Sequence, residues 1–321
     1  MKKTSETLTT KRFDRYMKGK TFCRDTIIPA MKKAAALHDH QALEKHSDRI
    51  QNCGRFLSVA RCQACDTGHF LGFDRCKSKW CVPCSAVKTK IWIAKLAPVI
   101  LESIKEGKAV SLLTLTLKDH DLGQLLLMVD RLMNAWQIIT HGRGNRAKWK
   151  KKIFGGIRNM EVKIGQESGI WHAHFHCILI HIPERFYEWI KDVWERATAK
   201  TMGTDAKVGS IDIRSIKTPN GCLKGIIEAV KYPVKPEASL WDSPEKVIEA
   251  FEVLHGRKQA HTFGSLRKVA AEVEKENEVD EKRLDIFICQ ACGCTEAVLE
   301  KELASNFSVS SGKLADVVRE R

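Results

Sequence analysis

Residues 171–180, with the sequence WHAHFHCILI, constrain the fold more than any other part of the chain. The segment is apolar, aromatic and β-branched and contains no Gly or Pro, which favours a β-strand. Because side chains alternate between the two faces of a strand, His172, His174 and His176 point the same way, about 7 Å apart in succession. Three imidazoles on one sheet face pack poorly in a core but ligate metals well. The pattern therefore favours a metal site over three solvated histidines.

Strands and helices alternate around the histidine strand in an order that predicts the fold class. We predict strands at 110–117, 156–164, 171–180 and 208–216, and helices at 125–140, 184–200 and 223–231. The order β-α-β-β-α-β, followed by one more helix, is that of the ferredoxin-like split βαβ arrangement. The sequence therefore predicts an α+β fold with an antiparallel sheet. Its helices should cover one face and leave the other open to build a site.

A turn at residues 166–169 sets the expected partners of the histidine strand. Residues whose numbers sum to 335 then lie opposite each other, so Glu161 faces His174 with Cβ atoms about 5 Å apart. Glu161, His174 and His176 would form a three-ligand site with vacant positions, which suits Mg²⁺ or Mn²⁺ that also holds a phosphate. His172 would face Lys163 and is either a further ligand or a rim residue contacting phosphate. A one-residue bulge would remove this pairing and leave Glu161 a solvated strand residue.

A second segment, EAVKYPVK, contains a glutamate and a tyrosine with helical spacing. Glu228 and Tyr232 are four residues apart and share one helix face, and Pro233 predicts that the helix ends or kinks at Tyr232. A tyrosine near a divalent metal suggests attack on a phosphodiester that leaves a phosphotyrosine. Glu228 would activate a water or take a proton in a later strand-release step. Lys231 and Lys235 are candidates for stabilising phenolate or phosphate charge.

Three motifs occur along the chain in the same order as in a known protein family. The upstream strand LTLT (113–116), the His174-Phe175-His176 strand and the segment YPVK (232–235) resemble the motifs of the HUH endonucleases. More narrowly, residues 76–236 are similar to the single-tyrosine rolling-circle replication initiators of small bacterial plasmids, although Ala173 stands where that family often has Pro. The resemblance implies an HUH-type nicking domain that cleaves single-stranded origin DNA in a metal-dependent reaction. Tyr232 would be the nucleophile, and Glu228 would replace a second tyrosine and serve termination.

Three alternatives remain open at the level of sequence. Tyr16 and Tyr187 do not belong to the Tyr232 helix, so a single-tyrosine mechanism fits. A mobilisation relaxase usually has its tyrosine before the histidine motif, where only Tyr16 qualifies. A rolling-circle transposase would use the same chemistry. A zinc-containing DNA-binding regulator without catalysis would leave the histidine strand and the Glu228–Tyr232 pair unexplained.

Twelve cysteines indicate metal binding in a reducing compartment. Cys62-x2-Cys65 and Cys81-x2-Cys84 have the spacing of a zinc site. The zinc candidates in this stretch are Cys53, Cys62, Cys65, Cys76, Cys81 and Cys84, with His69 as a spare. Their spacing fixes neither which four share an ion nor whether two ions bind. A later cluster of Cys289, Cys292 and Cys294 lacks an obvious fourth ligand and fits metal binding and no metal equally well.

The charge balance favours a nucleic-acid partner. Lys and Arg number 54 against 39 Asp and Glu, which gives a net charge of +15. No apolar run reaches the length of about 18 residues that predicts a membrane span, and the first residues lack the apolar core of a signal peptide, so we expect a cytoplasmic protein. Its expected partners are an origin hairpin with a single-stranded nick site and the host helicase, polymerase and single-strand-binding protein; no oligomeric state is predicted.

The expected domain organisation has four parts. Residues 1–50 form a basic helical region and residues 51–86 a cysteine-rich zinc-binding unit. Residues 87–240 form the nicking and strand-transfer domain, and residues 241–321 form a charged C-terminal region.

Overall fold

The chain folds into two compact units. The computed structural model describes residues 3–117, 124–165, 169–183, 186–203, 209–230, 238–278, 289 and 291–303. The first unit combines residues of Met1–Ser85 with residues of Glu278–Arg321, and the second unit is Ala86–Asn277. Among the described residues, no helix has the length and apolar character needed to span a bilayer.

Helices and strands are numbered in chain order. The helices are α1 (Lys3–Phe22), α2 (Ile28–Leu37), α3 (Gln41–Gln51), α4 (Val82–Lys105), α5 (Leu125–His141), α6 (Asn145–Lys152), α7 (Phe186–Met202), α8 (Pro219–Val230), α9 (Ala238–Trp241), α10 (Pro244–Leu254) and α11 (Val269–Glu278). The strands are β1 (Phe56–Cys62), β2 (Gly68–Phe73), β3 (Ala109–Leu117), β4 (Ile153–Ile164), β5 (Trp171–His181), β6 (Gly209–Ser215), β7 (Ala260–Gly264) and β8 (Ala297–Leu303). A π-helical turn, Cys23–Ile27, joins α1 to α2.

The second unit is built on a five-stranded sheet with the strand order β6-β3-β5-β4-β7. Every neighbouring pair in this sheet is antiparallel. β5 therefore lies at the centre, with β3 on one side and β4 on the other. Its central position explains the near-continuous apolar character of its second half, because both faces of this strand are buried.

One face of the sheet packs against α5, which lies with α6 between β3 and β4, and α7, which connects β5 to β6. The ring of Trp136 on α5 lies edge-on to that of Phe175 on β5, with centroids 5.8 Å apart. The indole of Trp194 on α7 donates a hydrogen bond to the carbonyl of Ser210 on β6, with an N···O distance of 3.0 Å. Phe186 of α7 also stacks on His181 of β5, with ring centroids 3.7 Å apart. Phe175 and His181 alternate with His174 and His176 along the strand, so both helices lie on the opposite face.

Helices also pack on the histidine face, so the expectation that this face stays open is wrong. Trp92 and Leu96 of α4, Ile226 of α8 and Val273 of α11 belong to one buried apolar cluster. The strand residues in the same cluster are Val110, Leu112, Ile157, Ile178 and Ile180. Ile178 and Ile180 point to the same face of β5 as His174 and His176. Because these two side chains are apolar, this part of the face is buried under other elements, which the expectation of an open face overlooked. The site lies at the end of a partly covered face.

The first unit contains a three-stranded antiparallel sheet with the order β2-β1-β8. Phe13 and Tyr16 of α1 pack with Leu57 and Val59 of β1 to form a small core. The strand β8 comes from the end of the described chain, and Cys62 of β1 lies opposite Ala297 in the register of this pairing. The central strand β1 is therefore completed by residues more than 200 positions away.

Gly264, at the end of β7, lies against the backbone of β4. Its φ is +59°, and a Cβ at this position would meet the carbonyl oxygen of Phe154 and lie 2.6 Å from the Cα of Gly155. We expect Gly264→Ala to destabilise the second unit by about 3 kcal/mol, the sum of a left-handed φ and a steric overlap. Urea unfolding followed by tryptophan fluorescence measures this, because seven of the eight tryptophans lie in Ala86–Asn277.

Gly256 provides the matched control for this substitution. Its φ is +74°, and nothing lies within 4 Å of a Cβ built on it. Gly256→Ala should therefore cost only about 1 kcal/mol, the conformational part of the penalty. Equal unfolding midpoints for the two variants would contradict the close approach of β7 to β4.

Candidate functional site

The pairing of β4 with β5 determines which side chains meet the histidines. Glu161 lies opposite His174, and Lys163 lies opposite His172. This is the predicted register, which is thereby confirmed. On the other side of β5, Thr114 of β3 lies opposite His176. The histidine strand is thus flanked on both sides by polar residues that share its face.

Three side chains converge at one point on this face. The Nε2 atom of His176 lies 2.8 Å from Oε2 of Glu161 and 3.0 Å from Nε2 of His174. The Nε2 atom of His174 lies 3.5 Å from the same carboxylate oxygen. The Oγ1 atom of Thr114 is 3.2 Å from Nδ1 of His176, so this hydroxyl orients the ring with Nε2 towards the cluster.

The site is buried, and burial favours the neutral form of the His174 imidazole. Glu161, His174 and His176 are 0%, 6% and 4% exposed. Burial lowers the pKa of His174 below its usual value, although the neighbouring Glu161 carboxylate acts in the opposite direction. A neutral imidazole is the form that donates an electron pair to a metal. Burial of His174 therefore favours the form of this side chain that binds a metal.

The separations of the donor atoms fit a single metal ion. Ligands at about 2.1 Å from an ion and at right angles to each other are about 3.0 Å apart, and a tetrahedral arrangement widens this to about 3.4 Å. The three separations of 2.8, 3.0 and 3.5 Å between Glu161, His174 and His176 span these values. A proton between the facing Nε2 atoms of His174 and His176 can be bonded to only one of them. A metal ion between them accepts a lone pair from each. These three residues can hold a metal.

Glu228 and His172 are placed differently relative to this cluster. Glu228, near the end of α8, has Oε1 3.6 Å from Nε2 of His176, and its side chain is 38% exposed. It borders the cluster from the accessible side. His172 is half-buried, and its ring is not part of the convergent group.

A first group of four cysteines lies in the first unit. Cys53, Cys76, Cys81 and Cys84 bring their sulfurs together, with Cys53 3.4 Å from Cys84 and 3.6 Å from Cys81, and Cys76 3.6 Å from Cys84. A tetrahedral zinc ion with bonds of about 2.3 Å separates its sulfurs by about 3.8 Å. The observed distances are close to that value and far from the roughly 2.05 Å of a disulfide. The thiols can therefore hold a metal together.

A second group of four cysteines uses residues from two distant parts of the chain. Cys62 lies 3.5 Å from Cys292, and Cys65 lies 3.5 Å from Cys289, in each case between sulfurs. The structure thus separates the Cys62–Cys65 and Cys81–Cys84 pairs into different groups. Sequence spacing missed this arrangement because the partners are more than 220 residues apart. A signal was present, since residues 62–65 and 289–292 both read CQAC.

The comparison with known proteins identifies the family. A family model described as a replication protein matches residues 71–309, about three quarters of the chain. The chain belongs to this replication protein family. The assignment confirms the resemblance to rolling-circle plasmid initiators. The matched range includes β4, β5 and α8, and hence Glu161, His174, His176 and Glu228.

Relatives of this family member come from several bacteria. A "Protein rep" of Streptococcus pneumoniae is 26% identical over 240 residues, which is 72% of each chain. A "Protein rep" of Lentilactobacillus hilgardii is 25% identical over 254 residues, covering 73% of this chain and 77% of the relative. A "Replication protein" of Staphylococcus aureus is 26% identical over 199 residues, covering 57% of this chain and 80% of the relative. No solved structure matches at a significant level.

Two of the three tyrosines of this family member lie within the described residues. Tyr16 is 5% exposed and donates a hydrogen bond to the carbonyl of Gly54, with an O···O distance of 3.1 Å. Burial raises the pKa of Tyr16 well above its usual value. A buried phenol that is held in its protonated form is a poor nucleophile, which disfavours the relaxase alternative. Tyr187 is 40% exposed, and its hydroxyl lies 3.3 Å from Oγ of Ser111.

Tyr232, Lys231 and Lys235 lie outside the described residues. The structure gives only their point of attachment, because α8 ends at Val230. Glu228, two residues before that end, contacts the histidine cluster.

Proposed function

We propose that this replication protein is a plasmid rolling-circle initiator that nicks single-stranded origin DNA through Tyr232. The proposal rests mainly on the convergence of Glu161, His174 and His176, with a carboxylate oxygen of Glu228 3.6 Å from Nε2 of His176. Tyr232 follows Val230 by two residues, a span of at most about 7 Å of extended chain. The attachment of this residue to α8 therefore supports a location close to the metal-binding face.

The topology of the second unit supports an HUH-type fold. Its first four strands in chain order are β3, β4, β5 and β6, and they are arranged spatially as β6-β3-β5-β4. With α5 and α7 as the connections, this is the order of a split βαβ fold. α8, which contains Glu228, would be the helix of the tyrosine motif, and β7, α4 and α11 would be additions to the split βαβ core.

The residues Glu161, His174 and His176 would hold Mg²⁺ or Mn²⁺, which would polarise the scissile phosphate and neutralise part of its charge. A carboxylate and two imidazoles leave further coordination positions for phosphate oxygens, unlike a closed structural zinc site. Thr114 keeps the His176 ring in position through its contact with Nδ1. His172, beside Lys163 at the rim, would contact the phosphate backbone of the DNA.

The nicking step exchanges one phosphate ester bond within the DNA for an ester bond to the protein. The phenol oxygen of Tyr232 forms a bond to phosphorus while the bond from phosphorus to the 3′ oxygen breaks. The phenol proton passes to solvent, and the departing 3′ oxygen takes up a proton and becomes the free 3′-OH that a host polymerase extends. Lys231 and Lys235 would stabilise the phenolate and the phosphate charge. The protein remains attached to the 5′ phosphate.

Glu228 would act as the general base that ends the reaction. Its carboxylate is partly exposed and lies at the edge of the histidine cluster, so a water or a DNA 3′-OH can reach it. We expect Glu228→Ala to leave the first nick within about tenfold of the parent rate and to slow termination by about 100-fold, the usual contribution of a general base. Release of a labelled, closed single strand measures termination. Partial recovery with Glu228→Asp is expected, and equal losses in both steps would contradict this role.

The remaining partners follow from this proposal. The four-cysteine group of Cys53, Cys76, Cys81 and Cys84 would hold a structural zinc. The net charge of +15 supports contact with the phosphate backbone of an origin hairpin. The proposed site of action is the bacterial cytoplasm, with the host helicase, polymerase and single-strand-binding protein acting after the nick.

An adduct assay tests the proposed function. The full chain is incubated with Mn²⁺ and end-labelled single-stranded oligonucleotides that tile the origin of the plasmid encoding it. We expect one oligonucleotide to yield a protein–DNA adduct that survives denaturing electrophoresis and a fragment with a free 3′-OH, and a chelator should prevent both. Binding of the origin duplex without any adduct or cleavage would favour a regulator that performs no chemistry.

A further inference from the structure

The described residues of the two CQAC segments make matching backbone hydrogen bonds. In the first turn, the N–H of Asp66 bonds the carbonyl of Cys62 at 3.0 Å, and the N–H of Cys62 bonds the carbonyl of Thr67 at 3.0 Å. In the second turn, the same two bonds join Gly293 to Cys289 and Cys289 to Cys294, both at 2.7 Å. Residues Asp66 and Gly293 also share a positive φ, 56° and 80°. An L-residue such as aspartate rarely adopts this conformation, so its use here indicates a specific turn.

Both turns direct backbone N–H groups at their first sulfur. The amides of Ala64 and Cys65 bond the sulfur of Cys62, and the amides of Ala291 and Cys292 bond the sulfur of Cys289. Such bonds stabilise a thiolate, which is the metal-binding form of cysteine. Two turns of this kind, each with a first and a fourth cysteine, can supply two ligands apiece to one four-thiolate zinc site.

We propose that Cys62, Cys65, Cys289 and Cys292 bind a second structural Zn²⁺, separate from the one at the Cys53 group. Their sulfurs lie within 4.8 Å of one another, and the two cross-turn pairs are 3.5 Å apart, near the roughly 3.8 Å of a tetrahedral zinc–thiolate site. The Nε2 atom of buried His69 lies 3.4 Å from the sulfur of Cys289. His69 is a positioning residue that donates a hydrogen bond to this thiolate.

The second zinc fixes the C-terminal strand of the first unit. Cys62 is the last residue of β1, and the Cys289–Cys292 turn precedes β8 by a few residues. The N–H of Gln63 bonds the carbonyl of Glu296 at 3.2 Å, which continues the β1–β8 pairing up to the metal site. A single ion thus closes a loop of more than 220 residues and sets the register of β8 on β1. This inference is independent of the nicking activity.

Metal content of purified full-length protein tests the proposal. The measurements use a His174→Ala background, so that metal at the histidine cluster is not counted. We expect two zinc ions per chain in this background, one after adding Cys292→Ser, and one after adding Cys81→Ser instead. Cys294→Ser is the matched control, since Cys294 lies in the same turn but outside the group of four. It should retain two ions. A single zinc that Cys292→Ser leaves in place would overturn the proposal.

Two further measurements keep the test decisive if Cys292→Ser fails to fold. Cys292→His preserves a ligand and should retain two ions, as three cysteines and one histidine also bind zinc. Reconstitution of the metal-free His174→Ala chain with Co²⁺ should saturate at two equivalents, with the absorption of tetrahedral cobalt–thiolate centres. Saturation at one equivalent, with the same Co²⁺ stoichiometry and absorption spectrum after Cys289→His, would show that the second group binds no metal.

Discussion

Tyr232→Phe is expected to abolish covalent attachment of the protein to origin DNA while leaving DNA binding intact. The substitution removes only the phenol oxygen, so the nucleophile is lost with little change in shape or charge. Loss of a nucleophile typically costs more than about 10³-fold in rate, and no adduct should be detectable. Denaturing electrophoresis of a labelled oligonucleotide measures the adduct, and a native mobility shift measures binding. An adduct that still forms would exclude Tyr232.

Tyr187→Phe is the matched control for this variant. Tyr187 is the exposed tyrosine of the described chain, at 40%, and it contacts Ser111. Its replacement should leave adduct formation unchanged. If Tyr187→Phe removed the adduct and Tyr232→Phe retained it, the nucleophile would have to be reassigned to the neighbourhood of β3 and α7.

His176→Ala is expected to weaken Mn²⁺ binding by more than about 100-fold. Changes in the partners of metal ligands already cost 10- to 100-fold, and here a ligand itself is removed. His176 is central to the cluster, since its Nε2 atom lies 2.8 Å from Glu161, 3.0 Å from His174 and 3.6 Å from Glu228. Calorimetric titration with Mn²⁺ gives the affinity, and the dependence of nicking on Mn²⁺ concentration should shift with it.

His172→Ala is the matched control for His176→Ala. It removes a histidine from the same strand face without removing a proposed metal ligand. His172 shares the strand face with His174 and His176 but lies opposite Lys163 and outside the convergent group. Its replacement should change Mn²⁺ affinity by less than about threefold. A loss as large as that of His176→Ala would mean that His172 completes the coordination sphere.

The local geometry of the metal site could be read from the sequence because it depends on short-range rules. A strand alternates its faces, and a short turn fixes the register of a hairpin, so Glu161 could be paired with His174 before the structure was known. The contact of Thr114 with His176 requires the placement of β3 beside β5. It could have been expected from the split βαβ order together with the alternating threonines of LTLT.

Rules based on the spacing of neighbouring residues missed the long-range pairings. Spacing placed Cys62, Cys65, Cys81 and Cys84 in one stretch, but the first two are shared with Cys289 and Cys292. Nothing local favours one thiol partner over another when all of them bind metal equally well. The packing of α4, α8 and α11 on the histidine face was missed for a similar reason. An apolar residue such as Ile178 predicts that its side chain is buried, but it does not identify the helices that bury it.

The strand order β2-β1-β8 has a consequence for the biosynthesis of the protein. During translation, β1 and β2 emerge early, but a two-stranded hairpin is marginally stable in water. The ribosome must add about 235 residues before β8 follows, which takes about 12–50 s at bacterial speeds. The second unit is synthesised completely within this interval and can fold first. An incomplete translation product therefore has a formed second unit but leaves one edge of β1 unpaired, where chaperones and proteases can recognise it.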